Sequence, residues 1–453
     1  MKNNIVKAFT LTCFVTVFSC SVIDDQQPQN SLPASEAVTD PASARASLNG
    51  AYDITQSGNY MGLRYLLFPD LHATGGSSVN NLRHSGTFPS FAQFANKAIL
   101  ANNVEVTNMW TTIYNGINRA NLILDKVPGI TDPAFTDKNG VLGEAYFLRA
   151  FHLFNALRYW GRVPIVTKPT EVVDGNLQVG RSSIADVYTQ IFSDIAQAET
   201  LAPTSQSTKG RVTKAVVAAL KARVHLQRSS TGIAVEWAEV IANADIAASG
   251  RTLVTPFSAI FEVKNTNEAI WEIPFDPVDN NTIAFFLLPT ANGGRNEMRP
   301  TANLQNAFLS TDVRRISTGA TNVSLKYYRV ATGDDHVVVF RLAEMLLSKA
   351  EALVERNGAG DLTAATGIVN QIRTRAGIGN YAGAVDQVSL RNEVFTQRRL
   401  ELALEGHYFF DVVRTGRAPV IFAPWNDNQA LLPIPEREIN ANAKLQGDQN
   451  PGY

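Results

Sequence analysis

The sequence predicts a mainly α-helical protein: four tetratricopeptide-like helical hairpins packed against an irregular, loop-rich half. Three observations lead there. Long stretches carry apolar side chains at helical spacing, these stretches come in adjacent pairs, and the segments 57–104, 250–336 and 415–453 that interrupt them are richer in Gly, Asn, Pro and aromatic residues. One pair with its turn approaches the about 34 residues of a tetratricopeptide unit. A chain of 453 residues with 45% hydrophobic and 18% charged content has the composition of a globular protein with a sizeable core.

Residues 1–20 read as an address. Lys2 and Lys7 precede an apolar stretch over 8–18, shorter than the about 20 residues that cross a bilayer as a helix. Val17-Phe18-Ser19-Cys20 resembles a lipobox, in which a cysteine receives diacylglycerol and the chain is cut before it. Residues 1–19 are then a lipoprotein signal peptide and 20–40, rich in Gln, Ser, Pro and Asp, a lipidated tether. Asp24-Asp25 resembles a surface-export signal. Several acyl chains such as palmitate, at about 0.8 kcal/mol per buried methylene, hold a soluble domain on a membrane. Cys13 and Cys20 are the only cysteines, so no disulfide operates in the body of the protein. That body is expected to fold as one globular unit from two regions, 41–250 and 251–453.

Within it, 144–159 carries Phe147, Phe151, Phe154 and Arg158 on one helical face and Ala145, Leu148, His152 and Ala156 on another. Such a helix is expected to be buried nearly all round, with Gly161 and Pro164 ending it. Helices are also expected over 183–201, 213–227 and 235–248. A hairpin of 341–356 and 363–375 turns across Asn357-Gly358-Ala359-Gly360.

The chemistry points to binding rather than catalysis. Net charge is −1, or −3 once Lys2 and Lys7 leave, and no long Lys/Arg run offers a nucleic-acid footprint. The six histidines form no ligand spacing, so neither metal nor cofactor is expected. His152 and His225 are expected as packed helix residues. Nucleophile elbows, phosphate loops and dinucleotide fingerprints are missing, and Gly293-Gly294-Arg295 is too short a pattern to mean phosphate. Glu401 and Glu405 point the same way from one helix, whereas glycosidase carboxylates face each other across the scissile bond, about 5–9.5 Å apart. They are expected to form structural ion pairs with Arg398 and Arg399.

The loop region 70–94 supplies His72, Asn81, Arg83, His84, Phe88 and Phe91 as candidate ligand-binding residues. Aromatic faces cover the C–H surface of a pyranose, while amide and guanidinium groups bond its hydroxyls. Phe88 and Phe91 as core beneath a long loop is the alternative. Arg295 and Asn296 join the set on loop position and side-chain type. With a peptide as ligand, Arg83 and Arg295 would anchor charged termini.

Five motifs in order carry a resemblance. EAYFLRAFHLFNALRYWGRVPIV, FRLAEMLLSKAEAL, the Ile-Arg-x-Arg-Ala-Gly at 372–377, QRRLELALEGHYFFDVVRTG and the closing LLPIPEREINANAKLQGDQNPGY together resemble the SusD/RagB family over nearly the whole chain. The resemblance implies a non-catalytic, lipid-anchored protein of the outer membrane, facing the cell exterior. It would capture an oligosaccharide for a SusC-like TonB-dependent transporter. Two readings stay open beside it: peptide capture, and a transporter lid with little ligand affinity of its own. The motifs themselves read as scaffold and identify the fold better than the ligand.

Overall fold

The structure, a computed structural model, describes residues 37–72, 80–85, 87–170, 178–317 and 326–453. The expected signal peptide, Cys20 and the tether up to residue 36 lie outside the described residues. Long helices dominate: α1 Pro41–Gln56, α2 Arg64–Leu71, α3 Pro89–Ala95, α4 Val104–Lys126, α5 Lys138–Trp160, α6 Ile184–Leu201, α7 Lys214–Ser230, α8 Trp237–Ala248, α9 Leu342–Arg356, α10 Asp361–Arg375, α11 Gln387–Glu401 and α12 Tyr408–Arg414. Two antiparallel strand pairs complete it, β1 Leu82–His84 with β3 Met298–Pro300 and β2 Ala269–Ile273 with β4 Val337–Arg341. Helices adjacent in sequence pack on each other, α4 on α5, α5 on α6, α7 on α8 and α9 on α10, with α8 and α11 both lying against α9.

α5 is the centre of the core. Every residue from Phe147 to Trp160 is buried, because its faces meet α4, α6 and the β2–β4 pair together. Phe147 and Phe151 meet Trp271 edge to face at 5.3 and 5.1 Å, and His152 packs with its Nδ1 3.1 Å from the Tyr60 hydroxyl. Gly161, at φ +68°, ends the helix where an L side chain would be strained. The C-terminal segment then closes over that end: Leu432 N donates to Tyr159 O at 2.7 Å, and Trp160 Nε1 to Pro433 O at 2.9 Å. One continuous hydrophobic cluster runs from Val38 to Leu445.

Polar burial is organised around Arg341, at the end of β4. Its guanidinium donates to Glu405 at 2.7 and 2.9 Å, to Glu401 at 2.6 Å and to Glu268 at 2.9 Å. Lys326 joins Glu405, and Arg375 bridges Glu268 and Glu401. Arg314 pairs with Asp312 at 2.7 Å and approaches Glu401 at 3.5 Å. Four cations thus meet four carboxylates, all of them buried, so the cluster is close to neutral. Burial opposes ionisation of Glu401, but Arg375, Arg341 and Arg314 outweigh it and hold its carboxyl well below the usual range. Glu401 and Glu405 are structural ion-pair residues, as expected, with other partners. Arg398 instead joins Asp411, and Arg399 bonds Asn81 and Asn303, because α11 turns its arginines toward different neighbours from its carboxylates.

Removing one member of such a cluster strands the others, at a cost of about 3–5 kcal/mol. Urea denaturation of Arg341→Met is expected to show a loss of that size. Arg45→Ala, which breaks the exposed pair with Asp137, is expected to leave the midpoint unchanged.

Candidate ligand-binding site

The site grows from the β1–β3 ribbon, which joins segments more than 200 residues apart. Ahead of it, α2 is buried along most of its length, and the chain after it is tied down at Asn80 and Asn81. Asn80 Nδ2 donates to Leu71 O at 2.9 Å, and Asn81 Nδ2 to Asp70 Oδ1 at 2.6 Å. Thr301 N donates to Asn81 O at 2.9 Å, which sets the register with Arg83 opposite Arg299 and His84 opposite Met298.

Glu297, wholly buried at the start of β3, clamps the turn that follows β1. Its Oε1 accepts from Thr87 N and Phe88 N, both at 3.0 Å, and lies 3.0 Å from His84 Nε2. Arg295 Nε donates to Oε2 at 3.3 Å. Burial disfavours the carboxylate, yet the hydrogen bonds from Thr87, Phe88 and Arg295 prevail and hold its pKa below the ordinary value. Arg295 is thereby held over the Phe88 ring, 4.5 Å from its centroid. Phe88 in turn stacks on Phe91 at 5.1 Å and leans on Phe286 at 5.9 Å. Behind Arg295 the chain folds back tightly. Arg295 N bonds Phe285 O and Asn296 N bonds Leu288 O, and a Cβ on Gly294 would lie 2.1 Å from Leu288 O, so only glycine fits.

Arg83, His84, Phe88, Arg295 and Asn296, predicted from two separate loops, therefore share one ribbon and its flanking turns. His72, Asn81 and Phe91 do not present themselves to a ligand. His72 is buried, stacked 4.0 Å from Phe409, and burial followed by the nearby Lys97 lowers its pKa to about 3. Asn81 is consumed by Asp70 and Arg399. Phe91 faces inward from α3 against Phe68, so the core reading is the right one for it, while Phe88 stays half-exposed. Phe285, 38% exposed beside Phe286, was missed, as were Glu297 and Arg299. The adjacent aromatics in the short apolar run 283–288, set between the polar stretches 279–282 and 290–296, were the available signal for Phe285.

Comparison with known proteins matches this architecture. A family model described as "Starch-binding associating with outer membrane" matches residues 70–226, and one described as "SusD family" matches 313–426. The chain is 27% identical to SusD-like protein P38 of Formosa agariphila, over 100% of this chain and 99% of that protein. The chain belongs to the SusD/RagB family. Solved SusD superfamily proteins share the fold. One from Bacteroides vulgatus superposes with a TM-score of 0.79 at 20% identity, covering 91% of this chain and 99% of that one. One from Parabacteroides distasonis gives 0.78 at 24%, covering 92% and 100%. A protein described as a laminarin binding SusD-like protein gives 0.74 at 23%, again covering 92% and 100%.

In this SusD/RagB chain the motifs behind the resemblance are structural. Arg341 organises the buried cluster, Glu344 accepts two bonds from Arg223 at 2.7 Å, and Glu405 of the Glu-Gly-His motif pairs with Arg341 and Lys326. Among the described residues no helix is long and apolar enough to cross a membrane, and no His, Cys, Asp or Glu group is arranged to hold a metal ion.

Asp70, beneath the ribbon, has its pKa pushed up to about 6 by burial, against the bonds from Asn81 and Leu404 N that lower it. The folded state therefore holds this proton more tightly than the unfolded chain. Its contribution is undiminished below about pH 4, falls as pH rises to about 6 and is constant above, a change of at most about 3 kcal/mol. Asp70→Asn keeps an acceptor for Asn81 and Leu404, and stability measured across pH 4–6 is expected to lose this downward step.

Proposed function

We propose that this protein captures an oligosaccharide on the ribbon face formed by Phe88, Arg295, Asn296 and Phe285, and hands it to a SusC-like TonB-dependent transporter without altering it. The observation that carries the reading is the Glu297 clamp. The half-exposed Phe88 ring and the Arg295 guanidinium are held together by Glu297 before any ligand arrives, with the Asn296 amide next in the chain, which lowers the entropy cost of binding. That combination matches the apolar faces and paired hydroxyls of a sugar ring. The family description of starch binding and the laminarin-binding relative support a glycan.

Support for a non-catalytic role comes from Glu401 and Glu405, the one carboxylate pair the sequence offered, which are enclosed in the core and bound to arginines. Anchoring belongs to the same reading: a signal peptide over 1–19, lipid on Cys20, a tether over 20–40, and regions 41–250 and 251–453 held at the outer membrane facing the exterior.

Calorimetric titration of the mature chain against plant, host and microbial oligosaccharides, with mixed peptides as a counter-panel, tests the proposal. Saturable binding to one glycan class is expected. Phe88→Ala and Arg295→Ala are each expected to weaken it tenfold or more, equivalent to about 1.4 kcal/mol. A substitution at Lys349, in the α9–α8 ion pair with Asp245, is expected to leave it unchanged. Binding of peptides with silence toward every glycan would reject the sugar as ligand.

A further inference from the structure

The ribbon carries more positive charge than its own carboxylate balances. Arg83 and Arg299 are direct partners across the antiparallel pair, and opposed residues project from the same face with Cβ atoms about 4.5–5.5 Å apart. Two like charges placed so are destabilising. Among the described residues neither side chain makes a hydrogen bond or ion pair, and the Arg299 Nε is buried without a partner there. Ser85 N donates to Glu297 O at 2.9 Å, so Glu297 continues the same edge of the ribbon, and Arg295 is bonded to it. Three guanidinium groups thus accompany one carboxylate, and Glu297 is already occupied by Thr87, Phe88 and Arg295.

A face with two arginines directly opposed in register favours an anion between them, which would offset their like charge. We infer that the ligand is an acidic oligosaccharide, bearing uronate carboxylates or sulfate esters, whose anionic group bridges Arg83 and Arg299 while a sugar ring lies against Phe88 and Arg295. Guanidinium groups suit this task because each offers paired donors to carboxylate or sulfate oxygens, in charge-assisted bonds about twice as strong as neutral ones. The inference rests on the ribbon being the glycan site, and it narrows the substrate class from sugars at large to anionic ones.

The test compares three oligosaccharides of equal length with the mature chain: a neutral β-glucan fragment, a uronate oligomer and a sulfated oligomer. At least one acidic probe is expected to bind tenfold or more tighter than the neutral one, with affinity falling as salt is raised; which acidic probe wins assigns carboxylate or sulfate. The ratio of acidic to neutral affinity is expected to fall tenfold or more in the Arg83→Gln, Arg299→Gln double variant. A readout without ligand guards against misfolding: Arg299→Gln alone is expected to raise the melting temperature of the empty protein, because it removes the like-charge pair. Equal or tighter binding of the neutral fragment, lost in Phe88→Ala, would overturn the acidic class while leaving the ribbon as the glycan site. Failure of all three probes, alongside a well-folded protein, would overturn both.

Discussion

The buried cluster centred on Arg341 is the constraint on which the candidate ligand-binding face depends. Charges this deep persist only when each is met by an opposite partner and the remaining hydrogen-bonding capacity is filled. Satisfying Arg341 fixes the end of α11 against β4 and β2, with Glu401 and Glu405 as anchors. The turn that joins those two carboxylates contains Leu404 at φ +65°, and its N–H donates to Asp70 at 3.1 Å. Asp70 holds Asn81, and Asn81 O receives Thr301 N next to β3. A short series of bonds therefore runs from the most buried ions in the molecule to the ribbon that displays Arg83 and Arg299. Rigidity at the surface is inherited from electrostatic satisfaction in the core.

The helical half was legible because its signals are local. Periodic apolar residues placed the helices at 184–201, 214–230, 237–248, 342–356 and 361–375 within three residues of expectation. The central helix ends at Trp160 before Gly161 as expected, though it begins six residues earlier, at Lys138 rather than 144. α1 and α4 escaped the reading although both carry periodic apolar faces, whereas the short helices of the irregular half have too few turns to show a period. The same limit explains the partners of Glu401 and Glu405. Sequence spacing shows which side chains share a helix face, but Arg341 and Arg375 reach them through tertiary packing.

At the candidate site, the residues picked by side-chain chemistry stay accessible where the chain is exposed and are enclosed where it is tied down. Arg295 and Asn296 were selected by loop position and side-chain type, and the fold places Arg295 over Phe88. His72, Asn81 and Phe91 have equally suitable chemistry, yet Phe409, Arg399 and Phe286 cover or consume them. Those three partners lie from 195 to more than 300 residues away, and no local pattern announces them. The family resemblance located the fold and left the face open, because its motifs populate the core. Glu297 and Arg299 became visible only once β1 and β3 were paired.

The reading of this face as a preformed glycan platform makes one claim above the others: that sugar lies across Phe88 and Arg295. A crystal structure of the protein with the tightest-binding oligosaccharide tests it directly. The account predicts ring density against the Phe88 edge with hydroxyl or acidic groups within hydrogen-bonding distance of Arg295 or the Arg83–Arg299 pair, and little movement of the Glu297 clamp. An oligosaccharide seated instead among the helical hairpins, with the ribbon bare, would contradict it.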